Sequence, residues 1–169
     1  MKKIIILLLL LIGAFSSYAQ IQRQILGYTL GVSTRSVVVK GLENKGFDLE
    51  IISDAANKGP VFYLVKGGVS FGGYIWDDVR IGFVNGKFAS IMCTTYLTEA
   101  QSLKLKNVLQ SKYNRYKTAN SNPSSGVYDY NDKRTSAFLY IPSSGNTVLS
   151  YGDERLMNAE TNSSSISDL

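Results

Sequence analysis

DVRIGFVNGKFASIMCTTY, residues 78–96, holds two apolar-rich runs that meet at Asn85-Gly86. Asn-Gly tolerates positive φ at both central positions of a two-residue turn, which is what a tight hairpin requires. Uninterrupted pairing from that turn sets Phe83 opposite Phe88, Ile81 opposite Ser90 and Val79 opposite Met92, all on one side of a sheet. That side is the expected core. Arg80, Gly82, Ala89, Ile91 and Cys93 then occupy the other side, a mixed row that is either half-solvated or lightly covered.

The flanking elements build outward from this hairpin. Ser33 is the expected cap of a helix running to about Lys45, with Gly46 just past its end and Val38 and Leu42 on its buried face. The preceding IQRQILGYTLG, residues 21–31, reads either as a short helix closed by Gly27 or as an extended arm. Phe47 to Ser53 alternates as a half-buried strand should, Asp54 to Gly59 is turn-like, and VFYLVK after Pro60 is a second strand. Gly67-Gly68 and Gly72-Gly73 mark a hairpin turn, a bulge or a close backbone crossing. Thr98 with Gln101 forms a capping box ahead of a helix whose stripe is Leu105, Val108, Leu109, Lys112, Tyr113 and Tyr116. After the polar loop Thr118 to Ser125 come three strands, Val127 to Tyr130, Ser136 to Ile141 and Thr147 to Tyr151. Helix, several strands, helix, three strands argues α+β, an antiparallel sheet with two main helices packed on one face. A duplicated helix-plus-meander unit, with halves at about 30–96 and 98–153, fits the same order.

Residues 1–19 read as a signal peptide. Lys2 and Lys3 precede an unbroken apolar run, Ile4 to Ile12, and Ser17-Tyr18-Ala19 places small residues where a signal peptidase cleaves. The run is far short of the ~20 residues of a membrane span. Cleavage before Gln20 leaves one domain over 20–157 and a Ser-rich, disordered tail over 158–169, in a protein that is periplasmic or secreted. Removing Lys2 and Lys3 lowers the formal charge of +5 by two, and no clustered Lys/Arg patch points to nucleic acid.

Chemistry is bounded by what the composition lacks. With no histidine and one cysteine among 169 residues, Ser-His-Asp and Cys-His nucleophile systems, the usual zinc sites and an internal disulfide are all excluded. Asp77-Asp78 beside Trp76 invites a glycosidase reading, but adjacent strand residues point to opposite faces and cannot flank one bond. No catalytic residue, metal ligand or cofactor is assigned, and the chain reads as not an enzyme. A carboxylate hydrolase would need two acids facing each other across a concave site.

Tyrosine is the positive feature, 11 residues in the full chain. Tyr128, Tyr130, Tyr140 and Tyr151, with Trp76, make a candidate contact surface, because such rings offer large amphipathic area at low entropy cost. The alternative reading of the tyrosines is cover for sheet and helix edges.

LGVSTRSVVVKGLENKGF, residues 30–47, resembles the Leu-Gly-hydroxyl opening and first helix of small bacterial envelope proteins. VSFGGYIWDDVRIGFVNGKFASIMC, residues 69–93, resembles the strand pattern that follows it in a group of secreted bacterial proteins. In element order the chain is similar to the β-lactamase-inhibitor-protein-like fold, which includes the outer-membrane assembly lipoproteins of the SmpA/OmlA type. It departs from them in lacking the lipid-bearing cysteine and the inhibitors' disulfides, and in carrying Phe47 where the lipoproteins commonly have proline. The resemblance implies a non-catalytic scaffold that binds another envelope or extracellular protein. The alternative is a glycan- or small-ligand-binding domain using the surface aromatics.

Overall fold

The computed structural model describes residues 20–54 and 59–159. The expected signal peptide, most of the turn after Asp54 and residues 160–169 of the expected tail lie outside them. In chain order the elements are β1 (Gln24–Ile25), β2 (Tyr28–Thr29), α1 (Arg35–Glu43), β3 (Asp48–Asp54), β4 (Val61–Lys66), β5 (Val69–Phe71), β6 (Tyr74–Trp76), β7 (Asp78–Val84), β8 (Lys87–Thr95), α2 (Glu99–Tyr113), β9 (Val127–Asn131), β10 (Thr135–Tyr140) and β11 (Thr147–Asp153). A helical turn over 154–159 follows, so residues 158 and 159 are helical where a disordered tail was expected.

One antiparallel sheet of seven strands dominates, in the order β3-β4-β7-β8-β11-β10-β9. The expected α+β arrangement, two main helices packed on one face, is therefore corrected to a predominantly β fold. The helices are too short to make a layer: α1 has nine residues and buries Val38 and Leu42, and α2 buries Ser102, Leu105, Leu109 and Tyr113. Much of the cover comes instead from two small hairpins, the β1–β2 arm with Ile21, Ile25 and Leu30, and β5–β6 with Val69 and Trp76. The halves are not copies of one unit either. The first lays four strands in the sheet and carries the extra β5–β6 hairpin, whereas the second lays three.

Local chemistry explains the elements. Asn85 and Gly86 sit at φ 50° and 69°, the two-residue turn that joins β7 and β8. Gly72 and Gly73, at 65° and 84°, close β5–β6 in the same way. The Thr98 hydroxyl accepts from the Gln101 N–H, and the Gln101 side chain accepts from the Thr98 N–H, completing the capping box of α2. At α1 the Ser33 hydroxyl does not cap the helix but accepts from the Thr29 N–H, and the segment before it is the extended arm rather than a helix.

The central hairpin departs from its expected register at one residue. Phe83 pairs with Phe88, but the next pair is Gly82 with Ser90, so Ala89 is an extra residue on β8. Beyond that bulge Ile81 faces Ile91 and Val79 faces Cys93. A one-residue slip moves every later side chain to the other face. Ile91 and Cys93, assigned to the mixed side, are core, while Ser90 and Met92, assigned to the core, lie on the opposite face.

Candidate functional site

Pairing across the sheet sorts the side chains into two faces. One core row runs Tyr63, Ile81, Ile91, Tyr151, Ala137 and Tyr130, and the next runs Leu49, Val65, Val79, Cys93, Leu149, Leu139 and Tyr128. These rows lie under the arm, the helices and β5–β6.

The five residues expected to form an exposed aromatic array mostly belong to this buried side. Trp76 is fully buried, and its indole N–H donates to the Phe71 carbonyl at 2.9 Å, pinning β6 to β5. Tyr128, Tyr130 and Tyr151 are buried as well, and Tyr140 alone of the five is half-buried and turned to the other face. Packing brings some rings together as core: Tyr113 meets Tyr130 with centroids 6.0 Å apart, and Phe71 meets Tyr151 at 6.1 Å. Burial pushes the Tyr151 hydroxyl far up, with the neighbouring Tyr113 adding to it, and pushes Tyr130 up to about 12. Tyr113 is raised by burial too, although the Gln22 N–H donates to its oxygen at 3.2 Å. Among the described residues these buried polar groups all have partners, and a cleft of about 480 Å³ lies beside Tyr113 and Phe71.

The opposite face has no layer of described residues over it. Its first row is Ser53, Phe62, Gly82, Ser90, Gly152, Ser136 and Asn131. The second is Glu50, Leu64, Arg80, Met92, Ser150, Phe138 and Asp129, and the third carries Asp78, Thr94, Val148, Tyr140 and Val127. Phe62, Leu64, Met92, Phe138, Tyr140 and Val148 are half-buried there, although the solvated face of an antiparallel sheet is ordinarily polar. The first row is small at its centre, and the result is a groove of about 510 Å³. Ser90, Gly152 and Ser136 form its floor; Ile52, Phe62, Arg80, Met92 and Met157 form its sides.

The centre of that first row must stay small. A Cβ on Gly82 would come within 2.8 Å of the Phe62 ring, which leans over that glycine, and one on Gly152 would come within 3.1 Å of the Ser136 hydroxyl. Met157 is held over the groove by the 154–159 turn, whose cap is Asp153: the carboxylate accepts from the Arg155 and Leu156 N–H groups at 3.2 Å each. The other oxygen of Asp153 takes Arg23 of the arm at 2.7 Å. Burial would raise this carboxyl, but the hydrogen bonds from Arg23 and Leu156 and the charges of Arg23 and Arg155 outweigh it and hold it below the usual range.

The charges on the open face are paired within it. Arg80 grips Asp78 through two hydrogen bonds of 3.0 and 2.9 Å, and Lys66 reaches Glu50 at 2.9 Å and Asp48 at 3.6 Å. The Glu50 hydrogen bond and charge, then Asp48, raise the Lys66 ammonium. Asp77 and Asp78 do not converge, since Asp77 accepts from the Thr95 hydroxyl while Asp78 holds Arg80. Among the described residues no three Asp, Glu or Cys side chains gather as metal ligands. The open face therefore offers apolar contact, hydroxyls and carboxylates.

Sequence reasoning missed this face because one bulge inverts half of β8. The signal that could have found it was the small-residue set Gly82, Ser90, Ser136 and Gly152 in otherwise bulky strands. No family model, curated protein or solved structure matches the chain, so the function rests on the geometry of this face.

Proposed function

We propose that the protein is a secreted or periplasmic, non-catalytic protein-interaction module that works through the open face of its seven-stranded sheet. The observation that carries this reading is the half-exposed apolar set Phe62, Leu64, Met92, Phe138, Tyr140 and Val148 on one uncovered face. Apolar area left on a solvated sheet face costs free energy in water, which is recovered when a partner covers it. The groove adds a recess in which a partner side chain can be desolvated, the usual setting of an interface hot spot. A glycan site built on Trp76 and the tyrosines would need exposed ring faces, and four of those five residues are buried.

The test is a pull-down from envelope extract with the wild-type chain and a Phe138→Lys variant, whose change lies on the half-exposed side of β10. A protein retained by the wild type and lost by the variant, with the thermal unfolding midpoint unchanged, is the expected result. Identical recoveries from both baits would remove the open face from consideration.

A further inference from the structure

The partner's chemistry can be read from the charge of this face, an inference that rests on the interaction reading above. We infer that the open face receives a basic segment of another protein, one apolar side chain entering the Gly/Ser-floored groove with Lys or Arg residues beside it. The face carries Asp48, Glu50, Asp78 and Asp129 against Lys66 and Arg80, and Glu154 stands at the groove. The chain as a whole has a formal charge of +5, and stays basic when Lys2 and Lys3 of the expected signal peptide are left out. An acidic binding face on a basic protein is a directional feature, because complementary charge selects partners and steers their approach. The two cations do not reverse the sign, since Lys66 with Glu50 and Asp48, and Arg80 with Asp78, still leave four carboxylates against two cations once Asp129 is counted.

The same pattern argues against a second copy as the occupant. Two such faces brought together would oppose a net excess of two carboxylates on each, and like charges across an interface are costly. The groove favours a side chain over a flat surface: its floor of Ser90, Gly152 and Ser136 is recessed between Phe62 and Met157, and the serine hydroxyls can bond a polar tip.

The experiment is selection of random peptides of ~12 residues on phage against the full wild-type chain, with counter-selection on Ser90→Trp, which fills the groove from the half-exposed side of β8. Circular dichroism and the unfolding midpoint establish that the variant is folded. Glu50→Lys is the second variant, because it inverts charge at an exposed position and leaves the groove open. Enriched peptides are expected to carry one aromatic or aliphatic residue flanked by Lys or Arg, and to be lost on Ser90→Trp. Their synthetic versions should bind about tenfold more weakly to Glu50→Lys and in high salt. Neutral or acidic peptides that are lost on Ser90→Trp would overturn the basic partner while leaving the interaction face standing. Enrichment indifferent to Ser90→Trp, or none, would overturn both. Sedimentation showing a dimer that Ser90→Trp dissociates would replace the basic partner with a second copy.

Discussion

Cys93 and Asp153 are the two side chains whose chemistry burial controls most directly. Cys93 faces Val79 and Leu149 across neighbouring strands, and burial, with Asp78 nearby adding to it, pushes its thiol up to about 12. The thiolate is the reactive form. A thiol reagent at pH 8 should therefore leave the folded protein unlabelled and label it fully in denaturant; rapid labelling of the native state would contradict the burial. Asp153 is shared between Arg23 of the arm and the cap of the 154–159 turn, and its folded pKa lies below the ordinary 3.8. A depressed carboxyl contributes stability that is complete above the unfolded pKa and is lost as pH falls through the folded one. Asp153→Asn should lower the unfolding free energy by about 3 kcal/mol near neutral pH, as removal of one partner of a buried pair does. The gap between variant and wild type should then close in strong acid, which urea titrations at several pH values would show.

At the scale of elements, the bulge at Ala89 controls which residues of β8 are core. Deleting Ala89 would remove the extra residue and make pairing continuous from the Asn85-Gly86 turn, with Gly82 still opposite Ser90, Ile81 opposite Ile91 and Val79 opposite Cys93. It is pairing without the bulge while Ala89 is retained that would turn Ile91 and Cys93 outward, at about 2 kcal/mol for each side chain exposed. The deletion should therefore keep a cooperative urea transition and leave Cys93 closed to a thiol reagent in the folded state; a lost transition or a labelled Cys93 would contradict this register. The turn, the capping box at Thr98 and the strands around them were legible because each depends on residues within a few positions of one another. The bulge was not, since Lys87 to Ala89 alternates no less well without it; what selects it is the partner strand β11, which needs Tyr151 and Leu149 beside Ile91 and Cys93. The β1–β2 arm was ambiguous for the same reason, as its apolar residues have no local partner to pack on.

For the whole molecule, the arm is as much core as the sheet. Ile21, Ile25 and Leu30 are fully buried, the Ile21 N–H donates to Asp132 at 3.0 Å, and Arg23 bonds Thr135 and Asp153. Burying three such side chains contributes about 6 kcal/mol, of the order of a small domain's net stability. A chain starting at Gly31 should show neither a cooperative thermal transition nor native near-ultraviolet dichroism, and a folded truncation would refute the arm's role. Turn positions, the capped helix, the strand runs and the poverty of catalytic groups were all present in the order of residues, because φ preferences, caps and side-chain chemistry act over short range. The predominance of the sheet over its helices, the inversion of β8 and the burial of Trp76, Tyr128, Tyr130 and Tyr151 depend on contacts between segments far apart in the chain. The open face belongs to that second group. A residue is exposed or buried according to what lies across from it, and for strands with apolar residues on both faces no local pattern says which face will be covered.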